Sequence, residues 1–483
     1  MRNRILLAYV LLPILSLGAG ENAGSGYARF DVAAQQAGTP ARQALANWLE
    51  AFDSPNRQAY KAFIQNQFPS GMAHIDQDTM LWDNTGGFDL MKIEDETPTK
   101  ITALLQERAG DDFARISVEI ESSAPHRIVK IEVVPVMPRP AGFPLPHLSE
   151  KDLVAQLRKL LSESAAAGRF SGAVLVAENG KRVFAQAYGF ADREHDIPNR
   201  LDSRFSIGSL NKMFTGVAVL QLVQAGKLQL DDRLGKYLTS YPNKELAAKV
   251  TIGELLTNTG GTGDIWGPDF TLHRAELNTL ADYVSLYGDR PLRFEPGSRW
   301  EYSNYGFILL GRVIEVVSGE SYDEYVSKHV YAPAGMNSTG SEPEDEGVPR
   351  LSFPYTRMGS GTWHPATEEL SIPGTSAGGG YSTVGDLLRF ANALREGMLL
   401  NAHYTTILTT PRVKNPLGFN AYGFEVQALN GTQCYGHNGV SSGVNSDFEV
   451  CRNSTFVVIS LANLDPPSAQ RISEFAIDRL PLQ

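Results

Sequence analysis

The segment FSIGSLNKMFTGVAVLQLV, beginning at Phe205, is apolar on almost every side yet carries Ser209 and Lys212 near its front. A helix without a polar face must be buried all round, inside the core of a sizeable domain. Positions three apart share one helical face, so the hydroxyl and the amine become neighbours. At a helix N-terminus the unpaired N–H groups and the dipole favour negative charge, which suits a serine oxygen that becomes an alkoxide or a tetrahedral adduct. Burial penalises an ammonium, so a desolvated lysine can lose its proton near neutral pH and serve as a base. The stretch reads as a nucleophile with its base built in.

By itself Ser-x-x-Lys occurs about once by chance in a chain of this size. What accompanies it decides its meaning. The 483 residues exceed one ordinary domain, and 42% hydrophobic with 20% charged residues is a globular balance. The formal net charge of -11 lacks the basic footprint of phosphate-backbone binding, so nucleic acid is not an expected partner. Arg2 and Arg4, an apolar run from Ile5 to Leu17 and small residues at Gly18 and Gly20 read as a secretory signal over residues 1–20. That run is short of the ~20 residues a span needs. The expectation is an exported protein, periplasmic or secreted, with no membrane span once the signal is cleaved. The two cysteines, Cys434 and Cys451, flank a Gly-Val-Ser-Ser-Gly turn, and a hairpin there could bring them opposite each other. Export would let a disulfide persist, and a pair of buried thiols is the alternative.

TPARQALANWLEAFDSP, from Thr39, reads as a helix with Thr39 as cap, Pro40 in the first turn, and Ala44, Leu45, Trp48, Leu49 and Phe52 at helical spacing. ARISVEIES alternates, with Ile116, Val118 and Ile120 on one face, and RIVKIEVV does so with Val129, Ile131 and Val133. Residues 21–138 therefore predict an α+β accessory domain, an antiparallel sheet with helices on one face. It resembles the cone-shaped nuclear-transport-factor-like (NTF2-like) fold. The proline-rich residues 139–149 read as a linker, with the boundary near Gly142. Beyond it come an amphipathic helix (LSEKDLVAQLRKLLSESAAAG), two strands around Asn179-Gly180, and a long helical middle. STFVVISLANL and SAQRISEFAIDRL supply a last strand and helix. One antiparallel sheet built from both ends of residues 150–483, with a separate helical lobe and a cleft between them, is the expected architecture.

Two further blocks follow Ser209-x-x-Lys212 in order. FEPGSRWEYSNYGFILLG holds Tyr302-x-Asn304 before an apolar helix, and CYGHNGVSSGVNS holds His437-Asn438-Gly439 at a strand end. Together with LDDRLGKYL, TIGELLTNTGG and SAGGGYSTVGDLLRF, these blocks resemble the serine β-lactamase and penicillin-binding-protein superfamily, closest to its class C-like branch of β-lactamase-related hydrolases and esterases. The resemblance runs from about Leu148 to the C-terminus. It implies a β-lactamase/transpeptidase-like fold and a serine hydrolase that forms an acyl-enzyme. Ser209 would be the nucleophile, and Lys212 with Tyr302, as phenolate or hydrogen-bonded phenol, would move its proton. Asn304 would hold the lysine and the substrate amide, and the N–H groups of Ser209 and Val440, just past Gly439, would hold the oxyanion. His437 and Asn438 would line the cleft wall.

The third block departs from the Lys-[Thr/Ser]-Gly usual in antibiotic-hydrolysing members, whose cation pairs with the β-lactam carboxylate. A histidine is largely neutral near pH 7. The resemblance therefore points to a small-molecule or peptide ester or amide, with esterase, D-aminopeptidase and β-lactamase activities as alternatives and a catalytically silent binding or scaffold protein as the rival from another class. Gly374–Gly378 and Gly439–Gly443 both fit G-x-S-x-G, but neither Ser376 nor Ser441 has a strand before and a helix after it. An α/β-hydrolase pairing Ser376 with His437 is the remaining rival. Tyr241-Pro242-Asn243 repeats Tyr-x-Asn in what reads as a turn. No His, Cys, Asp or Glu cluster has metal-ligand spacing, so neither metal nor organic cofactor is expected.

Overall fold

A computed structural model describes residues 38–136, 139–343, 347–357, 362–367, 372–451 and 455–481. The secretory-signal reading of residues 1–20 lies outside the described residues. The chain divides into two compact units, one of residues up to Asp78 with Thr85–Pro140, the other of Thr79–Asn84 with Ala141–Gln483.

In the first unit, helix α1 (Pro40–Asp53) starts where Thr39 Oγ1 accepts from Arg42 N. It is followed by helix α2 (Arg57–Gln67) and by helix α3 (Ile75–Thr85), whose residues Thr79–Asn84 group with the second unit. Strands β1 (Phe88–Glu96), β2 (Lys100–Glu107), β3 (Phe113–Ile120) and β4 (Ile128–Val136) form an antiparallel meander in that order. Alternation does the sorting: Ile101, Ala103 and Leu105 on β2 and Ile116, Val118 and Ile120 on β3 are buried with Leu45, Trp48 and Phe52 of α1. The reading of β4 needs one correction. Its pairing with β3 shifts register next to Ile120, so Ile128 enters the core and Val129 is 52% exposed. A bulge inserts a residue and inverts the alternation beyond it.

The second unit opens with helix α4 (Glu150–Ala166), capped by Ser149. The hairpin of β5 (Gly172–Glu178) and β6 (Lys181–Tyr188) turns at Asn179 and Gly180, both at positive φ (50° and 76°). That is the geometry an Asn-Gly two-residue turn supplies. The apolar segment forms helix α5 (Asn211–Gln224), and Tyr302-x-Asn304 leads into helix α6 (Asn304–Ser318). Later come β7 (Val413–Asn415), β8 (Gly418–Asn420), β9 (Glu425–Leu429), β10 (Thr432–Ser441), β11 (Val444–Cys451), β12 (Phe456–Ala462) and helix α7 (Ser468–Ile477). The sheet is antiparallel with order β7-β8-β9-β10-β11-β12-β5-β6. Chain ends therefore meet in its middle, where β12 pairs with β5.

Both faces of β5 and β12 are covered, and alternate residues serve different layers. Val174, Val176 and Val458 pack against Leu153, Leu157 and Leu161 of α4 and Ile472 and Ala476 of α7. Ala173, Leu175, Val457, Ile459 and Leu461 face α5. The helical middle packs on this face of the sheet: α6 and its neighbours share one continuous core with α5. Every residue of α5 from Asn211 to Leu220 is buried, which is why the sequence shows no polar face.

Cys434 and Cys451 are register partners on β10 and β11 and are joined in a disulfide. The bridge closes a loop with a sequence separation of 17, worth about 3 kcal/mol by loop-closure entropy. A Cys434→Ser/Cys451→Ser double variant, or reductant on the native chain, should lower the thermal midpoint by several degrees. The bridge lies about 20 Å along β10 from Val440, so labelling of Ser209 by a fluorophosphonate should be little changed.

Candidate active site

Ser209 lies in a single 3-10 turn, Gly208–Leu210, that runs directly into α5. Gly208 takes φ +52°, a left-handed conformation that side chains resist. The turn is clamped from two sides: Ile207 N donates to Gly380 O (3.0 Å), and Ser446 Oγ on β11 donates to Ile207 O (2.7 Å). Lys212, one turn on, is fully buried, whereas Ser209 and Tyr302 keep partial exposure.

Three distant segments converge on the serine and the lysine. Lys212 Nζ lies 3.1 Å from Ser209 Oγ, and Tyr302 OH donates to the same oxygen at 2.8 Å. Asn304 Oδ1 accepts from Nζ at 2.7 Å, and the carbonyl of Ala377 accepts a further bond. The three acceptors suit the three hydrogens of an ammonium, while burial opposes its charge. Burial wins in part: Lys212 is pushed down from 10.5 to about 7, and the charges of Asp264 and Glu425 limit the fall. Desolvation drives Tyr302 well above the ordinary phenol value, so it is a neutral phenol, not a phenolate. Asn304 is set by its place as first residue of α6, after Ser303, whose hydroxyl caps Gly306 N at 2.8 Å.

Strand β10 supplies the opposite wall. A methyl group placed on Gly439 would sit 2.1 Å from Ile207 O and 2.4 Å from Ser446 Oγ, so only glycine lets the strand approach the serine turn this closely. The position of a Cβ on Gly208 falls 3.4 Å from Val440 N, which brings that N–H alongside the serine turn. His437 is buried on the same face as Gly439, with its ring 6.5 Å from that of Tyr302. Its Nδ1 meets Asn438 O at 2.5 Å, and burial together with the nearby Lys212 charge lowers its pKa to about 3. Asn438 departs from expectation. β10 runs two residues further than the sequence suggested, to Ser441, so the turn is confined to Ser442-Gly443. Asn438 shares parity with Cys434, which packs in the α4–α7 layer, and therefore faces away from the wall that His437 lines.

The rival nucleophiles are not placed for the work. Ser376 is fully buried, its carbonyl accepts from Thr215 Oγ1 at 2.7 Å, and its side chain abuts Gly311. Ser441 is the strand residue next to the turn. Tyr241 OH meets Tyr305 OH at 2.9 Å, and Asn243 caps the helix Lys244–Lys249. Among the described residues, no group of three or more His, Cys, Asp or Glu could hold a metal ion. Sequence reading missed Ala377, Asp264 and Glu425. The first acts through its backbone and has no side-chain signature; the other two are single carboxylates outside any repeated spacing.

Comparison with known proteins gives the family and the fold. The family described as "Beta-lactamase" matches residues 153–481. The chain belongs to the beta-lactamase family. Within that family it is 31% identical over 301 residues to "Putative penicillin-binding protein PbpX" of Bacillus subtilis (strain 168), covering 61% of this chain and 71% of that one. Among solved structures, a penicillin binding protein from Bacillus halodurans aligns at TM-score 0.58 and 31% identity, over 67% of this chain and 97% of that one. A D-stereospecific amidohydrolase from Streptomyces sp. aligns at TM-score 0.57 and 27% identity, over 66% and 97%. The beta-lactamase family is generally one of serine hydrolases, and the fold here is that of its penicillin-binding-protein-like members.

Because β10 has no spare room beside the serine turn, Gly439→Ala should cost about 1–3 kcal/mol as overpacking. It should also displace Val440 N. Thermal unfolding and the rate of Ser209 labelling by a fluorophosphonate check the two effects, with labelling expected to slow at least tenfold.

Proposed function

We propose that this chain is an exported serine hydrolase that cleaves an ester or amide through an acyl-enzyme on Ser209. One observation carries the reading: a serine oxygen lies within hydrogen-bond reach of both a buried lysine and a phenol contributed from distant segments. With Lys212 neutral, the Ser209 hydroxyl donates to Nζ while Tyr302 donates to Oγ. Oγ then bonds to the substrate carbonyl carbon as its proton passes to Nζ. The new ammonium finds its acceptors already in place at Asn304 and Ala377. The carbonyl oxygen takes the negative charge between the N–H groups of Ser209 and Val440. Collapse breaks the ester or amide bond, and the departing oxygen or nitrogen takes its proton from Tyr302, which Lys212 replenishes. Water then repeats the sequence on the acyl group and frees Ser209.

His437 bears on substrate choice. Neutral in the working range, with its one N–H taken by the Asn438 carbonyl, it offers a substrate an acceptor at Nε2 and neither a donor nor a charge for a carboxylate. This favours an ester or amide without a free carboxylate over a β-lactam. A second reading, hydrolysis of a D-configured amide, draws on the D-stereospecific amidohydrolase from Streptomyces sp. as a structural neighbour. Side-by-side turnover of short-chain p-nitrophenyl esters, nitrocefin and D-amino acid amides ranks these readings. Ser209→Ala should lower turnover of the accepted substrate by at least a thousandfold, and equal turnover by that variant would discard the nucleophile. A fluorophosphonate adduct on Ser209, read by mass spectrometry, separates an enzyme from a silent homologue.

The lysine also fixes a pH dependence. Only neutral Lys212 accepts the serine proton, so kcat/KM should rise about tenfold per unit up to pH about 7 and then level off. Tyr302 contributes no falling limb below pH 10, because its pKa is raised, not lowered. Lys212→Met should lower kcat/KM by a factor of about 10²–10⁴ and abolish the limb.

A further inference from the structure

Asp264 lies in the loop after TIGELLTNTGG, outside every motif that marks the site. Its carboxylate makes a specific set of bonds. Oδ1 accepts from Ile265 N at 2.8 Å and from Asn304 N, the first N–H of α6, at 2.9 Å. Oδ2 accepts from the Asn304 side-chain amide, Nδ2, at 3.3 Å. All three groups that meet this carboxylate are N–H donors, two of them backbone groups, from the start of α6 and from the loop that holds Asp264. An ionised carboxylate only accepts, so the amide of Asn304 must turn its NH2 toward Asp264. Its Oδ1 is thereby aimed at Lys212 Nζ, 2.7 Å away.

We propose that Asp264 is a positioning residue for the hydrolase reaction, one that fixes the orientation of Asn304 and through it the placement and proton affinity of Lys212. The inference rests on the serine-hydrolase reading above. Without the carboxylate, nothing on this side distinguishes the two ends of the Asn304 amide. A flipped amide would present N–H groups to the lysine, removing one of its three acceptors and placing donor against donor. Asp264 is also the largest favourable charge acting on Lys212. The other titratable groups facing the lysine are Glu425, whose own pKa burial raises to about 7, and His437 and Tyr302, both uncharged at neutral pH. Arg290 meets the Asp264 backbone carbonyl at 2.9 Å and pairs its charge with Asp269.

The test measures the rate of Ser209 modification by a fluorophosphonate as a function of pH, in the full chain, for wild type, Asp264→Asn, the charge-swapped Asp264→Asn/Asn304→Asp and Glu425→Gln. Asp264→Asn keeps an acceptor for the two backbone N–H groups while removing the charge and setting amide against amide. Its acidic limb should move to lower pH by about one unit or less, since the lost charge acts across an intervening amide. Its plateau rate should fall by a factor of 10 or more. In the swapped variant the carboxylate contacts Nζ directly, and the limb should move above the wild-type position. Glu425→Gln should also lower the limb, with a smaller loss of plateau rate than Asp264→Asn shows, separating a charge effect from positioning. An Asp264→Asn limb that stays at the wild-type pH would overturn the proposal, as would an unchanged plateau rate. Absence of any wild-type adduct on Ser209 would instead sink the serine-hydrolase reading itself, so the two failures are distinguishable.

Discussion

A buried amine sets the terms for everything around it. Moving Lys212 from an ordinary value of 10.5 to about 7 corresponds to on the order of 5 kcal/mol of disfavoured charge. The fold tolerates this because the same burial brings Ser209 Oγ, Asn304 Oδ1 and Ala377 O to the nitrogen. Each acceptor arrives from a different stretch of chain. The core enclosing α5 thus performs two tasks with one set of contacts. It supplies apolar surface for stability, and it makes the lysine reluctant to hold its proton until a fresh negative charge develops beside it.

The sheet gives this arrangement its stiffness. Pairing of β12 with β5 joins the two ends of the unit, and β10 and β11 are carried by that frame to the serine turn. At the contact, tolerance is small: Gly439 has no space for a methyl group, and the Ser446 hydroxyl ties β11 to Ile207. A donor that must meet a developing oxyanion has to be fixed before the charge appears. On the proposed reading Val440 N would be such a donor, carried by a strand that cannot drift independently of its neighbours. The disulfide holds the far end of the same hairpin, where it adds stability without touching the site.

Much of this was legible in the sequence, and the exceptions have common causes. Ser209, Lys212, Tyr302, Asn304 and Gly439 were readable because side-chain chemistry at fixed spacing leaves a pattern. The hairpin at Asn179-Gly180, the alternation on β3 and the pairing of the cysteines across a turn were readable for the same reason. Asn438 and Val129 were misjudged by parity. One error put two adjacent residues on the same wall, which a strand continuing past both forbids; the other came from a bulge, which reverses the faces beyond it. Ala377 contributes a carbonyl that every residue possesses. Asp264 matters through the helix start it meets, a relation between distant segments that no local window contains.

Charge in the site is constrained by burial first and by proximity second. His437 and Lys212 are close enough that the charge of one lowers the affinity of the other for a proton. Two buried cations side by side would each forfeit solvation and repel, so only one can be held, and the lysine has the acceptors to hold it. The histidine consequently stays neutral while the lysine titrates. Any anionic group of a substrate must then be recognised by hydrogen bonds, by an exposed surface charge, or not at all. On the proposed reading, a β-lactam that brought a carboxylate to this wall would gain less than it would from a lysine on β10, whereas an uncharged ester or amide would lose nothing by the exchange.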